Sequence, residues 1–378
     1  MKRYVQILLI VLFALVLVVP MALTDQERDK VSKSENRTLA NLPSLRTPKG
    51  ALNSNLTADF EAWYSDHVGL RDDAIKANGM IQYYGFGVLS WSGMHIGRNG
   101  AVVYATQDMI DNYQRINRYT EDEVHQIGEA MRKVGDWVAS QGMQLYYMQC
   151  YDPYNVYPEY FMDSIRRLEG ESQVEQIVRA IRSETEIPVI SPLEALLKAK
   201  AAGEKVYGSW YDPTHWTPRG AYVGYRQLME TINLKNDHRY RVLEEDDYLI
   251  DLQDRGARYF DSIHQEDMVE LFTIKNPRAS ESEDKSALGK FGEDPNNRLF
   301  LNDQAGNDTR ILVLGDSYLA GYLIDDIAES FAVTMLVWGS YTPDLKKVVE
   351  QCRPDIIIME NAERVNRMHL VEELSRSL

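Results

Sequence analysis

Three side chains in this sequence are of the types that acyl transfer through a serine requires. Ser317 ends the string Gly315-Asp316-Ser317, and about a hundred residues earlier Asp212-Pro213-Thr214-His215 supplies an acid and an imidazole. A serine hydroxyl is a poor nucleophile at neutral pH and needs an imidazole within hydrogen-bond reach to take its proton. The imidazole in turn needs an acceptor on its other nitrogen to fix its tautomer and orientation. The roles follow from the residue types: Ser317 as nucleophile, His215 as base and Asp212 as the orienting acid.

Each string alone is short enough to recur by chance, so context has to carry the pairing. Ile311-Leu312-Val313-Leu314 runs straight into Gly315-Asp316-Ser317. Such an all-aliphatic run reads as a buried parallel strand, and a helical pattern follows it. Ser317 would then sit just past the carboxyl end of a strand, where open α/β sheets place their sites. Its amide, at a helix amino terminus, is a natural oxyanion donor; Gly339, Tyr341 and Asn361, after neighbouring strand ends, are candidates for a second. Asp316 adjoins the nucleophile and reads as structural. His215 sits where a loop enters a helix, beside Trp216, with Pro213 and Pro218 stiffening the turn. His95, His125, His238, His264 and His369 lack such context, and no pair of them has metal-site spacing. His67, between Asp66 and Val68 in an aromatic-rich helical stretch, reads as structural. Neither a phosphate loop nor a dinucleotide glycine pattern is present, so no cofactor and no metal are expected.

The elements that must position these residues follow an α/β rhythm from Thr120 onward. Thr120 and Glu123 form a capping box, apolar residues recur at Val124, Ile127, Met131, Val134 and Val138, and Gly142 ends the helix. Met143 to Cys150 is the next strand, and a loop from Tyr151 to Pro158 leaves its end. Val174, Ile177, Val178 and Ile181 mark another helix; Ile187 to Ile190 reads as an edge strand because of Pro188. Ser191-Pro192 would cap a third helix with proline at its first position. Ala221 to Ile232 forms a helix behind the Asp-His stretch. Upstream, Met94 to Tyr104 reads as a hairpin turning at Asn99-Gly100. Residues 236–310 break the rhythm with strand-like pieces at Tyr248 to Ile250 and Met268 to Ile274, and Asn276 to Asn297 has the composition of a mobile loop. This region is expected to be a β-rich insertion. A strand at Val333 to Trp338, a helix from Thr342 and Pro343 through Cys352, and a strand at Asp355 to Met359 complete the pattern.

Hydrophobic content of 44% and charged content of 26% are ordinary for a globular chain, and 378 residues allow one large domain or two smaller ones. The formal net charge of −16 argues against nucleic acid as a partner. Two cysteines, Cys150 and Cys352, form neither a disulfide framework nor a four-ligand zinc site. Burial as free thiols is expected, and a single disulfide between them stays open. At the amino terminus Lys2 and Arg3 precede an uncharged run from Val5 to Leu23, about the length needed to span a bilayer. A cleaved signal peptide is the alternative, but Pro20-Met21-Ala22 is a poor cleavage site and the apolar run exceeds a usual signal core. A retained anchor with the bulk of the chain extracytoplasmic is expected, because positive charges keep the short end inside.

Gly315-Asp316-Ser317 with Asp212-x-x-His215 resembles the SGNH hydrolase superfamily. More narrowly, the chain is similar to the DHHW proteins and the alginate O-acetyltransferases AlgJ and AlgX. The likeness extends through Glu35-Asn36-Arg37, Gly69-Leu70-Arg71, Ile96-Gly97-Arg98-Asn99-Gly100, Val156-Tyr157-Pro158, His215-Trp216-Thr217 and Glu360-Asn361-Ala362-Glu363-Arg364. It implies a three-layer α/β/α, flavodoxin-like parallel sheet with a β-rich insertion, acting outside the membrane. It also implies transfer of acetyl groups to a polysaccharide acceptor, the acetyl donor being reached beside a membrane-bound O-acyltransferase. Such relatives carry Asp two residues before the His, where this chain has Pro213; its Asp212 matches the wider superfamily's Asp-x-x-His instead, and Asp152 is the fallback acid. The expected division is a transmembrane anchor over 1–24, a stalk and helical segment over 25–95, and a catalytic domain over 96–378 with its insertion at about 236–310. Three functions fit: an O-acetyltransferase, a carbohydrate acetylesterase using the same site, and a non-catalytic scaffold or glycan-binding component of a polymer-export complex.

Overall fold

Contacts divide the chain into two units, residues 1–92 with 259–264, and residues 93–258 with 265–378. The computed structural model describes residues 2–32, 37–47, 49–162, 164–260, 262–339 and 344–365. In the first unit, helix α1 (Lys2–Ala22) is uncharged from Tyr4 onward and exposed along its length. Its 21 residues are long and apolar enough to cross a membrane, since they span about 30 Å. Strand β1 (Val31–Ser32) pairs with β2 (Arg37–Thr38), and helices α2 (Leu56–His67) and α3 (Arg71–Met80) follow. His67 is a packing residue here: its ring is buried, with Nδ1 2.7 Å from Asp25 and Nε2 2.9 Å from the Ala40 carbonyl. Glu35 and Asn36, quoted for the family likeness, lie outside the described residues.

The second unit opens with the hairpin of β3 (Met94–Ile96) and β4 (Val102–Tyr104), which turns at Asn99 and Gly100, both at positive φ. After α4 (Gln107–Gln114), α5 (Glu121–Ser140) starts at the capping box of Thr120 and Glu123. Then come β5 (Gln144–Cys150), the short α6 (Pro153–Val156), α7 (Gln173–Glu184), β6 (Val189–Ile190) and α8 (Leu193–Ala201). Pro192 stands at the N-cap of α8 rather than at its first position, and Ser191 does not cap it; the Ser191 hydroxyl instead meets the Tyr151 hydroxyl at 2.6 Å. Helix α9 (Pro218–Leu234) precedes the β7 (Tyr248–Asp254) and β8 (Met268–Ile274) hairpin. Strands β9 (Ser280–Glu281), β10 (Arg298–Leu301) and β11 (Arg310–Gly315) lead to α10 (Ser317–Ala320), α11 (Ile324–Ala328), β12 (Val333–Trp338), α12 (Leu345–Cys352) and β13 (Ile356–Ala362).

One seven-stranded sheet runs β6-β5-β13-β11-β12-β10-β9, its first five strands parallel. Buried parallel strands present both faces to helices, and the side chains alternate accordingly. Ile311, Val313, Ile356, Ile358, Tyr146 and Met148 pack with α8, α9 and α11. Leu312, Leu314, Ile357, Met359, Leu145 and Tyr147 pack with α5, α7 and α12. This is the expected three-layer α/β/α arrangement.

Two expectations need correction. The region 276–297 is not a mobile loop: β9 pairs antiparallel with β10, β10 with β12, and Leu288 is buried against Leu345, Val348 and Cys352 of α12. A polar sequence conceals this because β9 is two residues long and a single leucine anchors the turn after it. The helix after Ser317 is two short pieces separated at Gly321–Leu323, although Leu319, Leu323 and Ile327 all reach the same core. Helix α12 starts from an Asp344 cap, and the expected start at Thr342 and Pro343 lies outside the described residues. Cys150 and Cys352 are both buried and neither is in a disulfide, so the disulfide alternative falls.

Asp326 on α11 accepts a hydrogen bond from the Tyr248 hydroxyl at 3.0 Å. Burial pushes its carboxyl pKa up to about 7, against the pull of that hydrogen bond, with Asp325 and Glu329 adding to the rise. In the unfolded chain it titrates near 4, so between about pH 4 and 7 the native state binds the extra proton and stability falls as pH rises. Asp326→Asn should flatten this slope. Urea unfolding at pH 5 and pH 8 should show the variant losing less stability than the parent by on the order of 2 kcal/mol; equal losses would refute the assignment.

Candidate active site

Strand β11 delivers the chain into a turn in which three successive amides have different fates. The Asp316 amide donates to Glu360 Oε2 on the neighbouring strand β13 at 2.7 Å. The Tyr318 amide donates to the Asp316 carboxylate at 2.9 Å, which makes Asp316 the cap of α10 and not a triad acid. Between them the Ser317 amide has no acceptor among the described residues. An unsatisfied N–H beside a half-buried hydroxyl is what an oxyanion site needs. Glu360 is completely buried under this turn. Burial, and then the Asp316 carboxylate, push its pKa well above the ordinary range, which favours its neutral form.

The loop carrying His215 is pinned at both ends. Tyr207 and Trp216 form an isolated β-bridge, and the Thr217 amide donates to the Val206 carbonyl at 3.0 Å. Thr217 caps α9 by accepting from the Gly220 amide at 3.2 Å, while its hydroxyl donates to the Lys205 carbonyl. Trp216 is fully buried and meets the Tyr318 ring edge-on, centroids 5.1 Å apart. The consequence is that His215 projects from a rigid corner with its Nε2 2.7 Å from Ser317 Oγ.

On the other side of the ring, His215 Nδ1 lies 3.1 Å from Asp212 Oδ2 and 2.7 Å from the Thr214 hydroxyl. Asp212 is 2% exposed, a charge that water does not reach. Its Oδ1 accepts from the Thr214 amide and hydroxyl at 2.9 and 2.5 Å, and from the His215 amide at 3.2 Å. Its Oδ2 accepts from the Tyr322 hydroxyl at 2.9 Å and from Arg258 at 3.2 Å. Burial alone would raise the Asp212 pKa, yet the hydrogen bonds and charge of His215, followed by the bonds of Thr214, hold it well below the usual carboxylate range. The acid is therefore ionised throughout the neutral range, and it can orient and support an imidazolium.

Ser317, His215 and Asp212 thus come together in one chain of contacts. Asp152 does not join it: it is buried and paired with Arg364, 2.8 Å from Nε. Two suggested second oxyanion donors are otherwise engaged. The Gly339 amide donates to the Gly315 carbonyl at 2.8 Å, and the Asn361 side chain donates to the Tyr147 hydroxyl at 2.9 Å. Tyr341 and His369 lie outside the described residues. His95 meets the Ala105 carbonyl and His125 meets Glu184. Among the described residues no group of three or more His, Cys, Asp and Glu could hold a metal ion. Sequence reasoning missed Thr214, Tyr322 and Arg258, and gave Glu360 no role although it opens a string quoted for the family likeness. Thr214 stands inside the quoted Asp-x-x-His string, and Tyr322 follows Ser317 by little more than a helical turn; Arg258 carries no local signal at all.

The profile of a family described as the SGNH hydrolase-like domain of the acetyltransferase AlgX matches residues 111–323, more than half of the chain. Among solved structures the chain is similar to PatB1 of Bacillus cereus, with 15% identity and a TM-score of 0.54 over 71% of this chain and 96% of that one. It is also similar to a DHHW family protein of Eubacterium siraeum, with 13% identity and a TM-score of 0.51 over 77% of this chain and 97% of that one. At these identities the likeness is one of fold. Among curated proteins no sequence matches.

The corner that carries His215 depends on close backbone approach at Gly220. A Cβ added there would lie 2.1 Å from the Val206 carbonyl oxygen and 3.0 Å from Trp216 Cβ. Gly220→Ala should therefore destabilise the protein by about 1–3 kcal/mol in thermal or urea unfolding. A variant as stable as the parent would show that this corner yields freely.

Proposed function

The chain belongs to the family of SGNH hydrolase-like AlgX acetyltransferase domains, and from that premise we propose that it is a membrane-anchored, extracytoplasmic O-acetyltransferase that acetylates hydroxyls of a cell-surface polysaccharide through Ser317. The observation that carries this reading is the pair of contacts on one imidazole, Ser317 Oγ at 2.7 Å from Nε2 and Asp212 Oδ2 at 3.1 Å from Nδ1. In the proposed reaction His215 Nε2 takes the Ser317 proton as Oγ bonds to the carbonyl carbon of an acetyl donor. The carbonyl electrons move onto oxygen, which the Ser317 amide stabilises. Collapse breaks the bond to the leaving group, which receives the proton from His215, and leaves acetyl-Ser317. A sugar hydroxyl then gives its proton to His215 and attacks the acetyl ester, and Ser317 recovers its proton as the acetylated sugar departs. Asp212 remains ionised throughout and supports the imidazolium.

Helix α1, as a retained anchor, would keep the domain at the membrane surface. A membrane-bound O-acyltransferase could there present the acetyl donor. The exposed surface of α1, uncharged from Tyr4 onward, supports this arrangement.

Reaction of the purified protein with a serine-directed fluorophosphonate tests the site. The parent should be labelled on Ser317, Ser317→Ala should not react, and Asp212→Asn should react about 10²- to 10⁴-fold more slowly. Full labelling of Ser317→Ala would remove the nucleophile assignment. Polymer acetyl content in a deletion strain tests the direction of transfer: it should fall, whereas a rise would mark a deacetylating esterase.

A further inference from the structure

An arginine outside the Asp212–His215–Ser317 chain of contacts bonds both to the segment that carries His215 and to the one that carries Ser317. Ser317 stands on a four-residue helix and His215 on a loop, so no shared ladder of backbone hydrogen bonds fixes one against the other. The rings of Trp216 and His215 against Tyr318 bring the two segments together, yet ring contacts are weakly directional. Arg364, two residues beyond β13, adds direction. Its Nη2 donates to the Thr214 carbonyl, the residue immediately before His215, and to the Tyr318 hydroxyl oxygen at 2.8 Å, the residue immediately after Ser317. The Tyr318 hydroxyl in turn donates toward the carbonyls of Tyr151 and Thr214 at 2.9 and 3.1 Å. One guanidinium therefore grips the neighbour of the base and the neighbour of the nucleophile together.

The grip is itself held. Nε and Nη2 lie 2.8 and 2.6 Å from Asp152 Oδ1, and the Asp152 side chain is fully buried at the end of β5. The Asp152 amide donates to Glu363 Oε2 at 2.9 Å, which ties the residue before Arg364 back to the same strand end. The guanidinium also stands over the Tyr318 ring, 5.3 Å from its centroid. Planar, multidentate anchoring of this kind suits arginine and is beyond a lysine ammonium, which has the charge without the fork.

We propose that Arg364 is a positioning residue, oriented by Asp152, that fixes the separation and alignment of Ser317 and His215 through Tyr318 and Thr214. This inference rests on reading Ser317 and His215 as nucleophile and base. It lies beyond the stretch matched by the family profile, which ends at residue 323.

The test is the rate of fluorophosphonate labelling of the full-length protein across pH 5–9, read beside its melting temperature. Arg364→Lys should fold and be labelled about 10- to 100-fold more slowly at every pH, the scale expected when reacting groups are misplaced by a fraction of an ångström to an ångström. In Arg364→Ala, added guanidinium ion should restore part of the rate, and methylammonium should not. A purely stabilising role predicts instead that folded Arg364→Lys is labelled at the parental rate, which would overturn the proposal. If both variants fail to fold, Tyr318→Phe decides, because it removes one anchor of the fork and leaves the Asp152 pair intact. Its labelling should fall about 3- to 10-fold, and an unchanged rate would again overturn the inference. Absence of labelling in the parent protein would bring down the functional reading together with this one, whereas normal labelling in the parent and in Arg364→Lys brings down this one alone.

Discussion

The Asp212 carboxylate is the constraint around which the site is built. An ionised carboxylate withdrawn from water is stable only where hydrogen bonds replace its hydration. Two amides, two hydroxyls, an imidazole and a guanidinium do so here, and they come from three parts of the chain: its own turn, Tyr322 beyond α10, and Arg258 after β7. The requirement has structural consequences. Thr214 must present both its amide and its hydroxyl, so the turn has to close tightly. Tyr322 must reach back, which agrees with the break between α10 and α11 at Gly321–Leu323. Arg258 is half exposed, so of the donors it is the one whose contribution solvent screens most.

The nucleophile turn answers a different problem, which is how to leave one amide unpaired without leaving it buried and wasted. Parallel strands end together, and at that end β11 and β13 lie side by side. Glu360 on β13 takes the Asp316 amide and Asp316 takes the Tyr318 amide. What remains is the Ser317 amide, next to a hydroxyl that solvent reaches. The burial of Glu360, which favours its neutral form, matters to this economy. An ionised carboxylate in that position would place a second negative charge beside Asp316 and close to where the oxyanion would form, opposing the charge the turn is arranged to receive.

How much of this was legible depended on whether the signal was local. The aliphatic run before Ser317, the capping box at Thr120 and the Asn99-Gly100 turn each state their structure within a few residues, and the folded chain follows them. The Asp212–His215 spacing was legible for the same reason, since one turn carries both. Non-local contributions were not. Strand β9 is two exposed residues that exist as a strand only because β10 lies beside them, so its polar composition read as loop. Arg258 and Arg364 reach the site from 46 residues beyond Asp212 and 150 beyond Thr214; nothing around Arg258 marks a destination, and the string ending in Arg364 was quoted for its likeness alone, without its partners. The break after α10 was hidden because Leu319, Leu323 and Ile327 keep a helical spacing across a segment that is not continuous helix.

The position of the acid follows from the same turn. Chains of this kind that the sequence resembles place the acid two residues before the histidine, and here Pro213 occupies that place. At three residues' separation a carboxylate has to curl back over its own turn to reach the imidazole. Asp212 does this by bonding the amides two and three residues ahead with Oδ1, the arrangement in which short acidic side chains imitate a backbone turn. Oδ2 is then left pointing at Nδ1. Pro213 assists, because its fixed φ removes freedom from the first step of the curl and it has no amide hydrogen to satisfy in a buried place. Pro213 therefore stiffens the turn that lets the Asp212 carboxylate reach the imidazole from three residues before it.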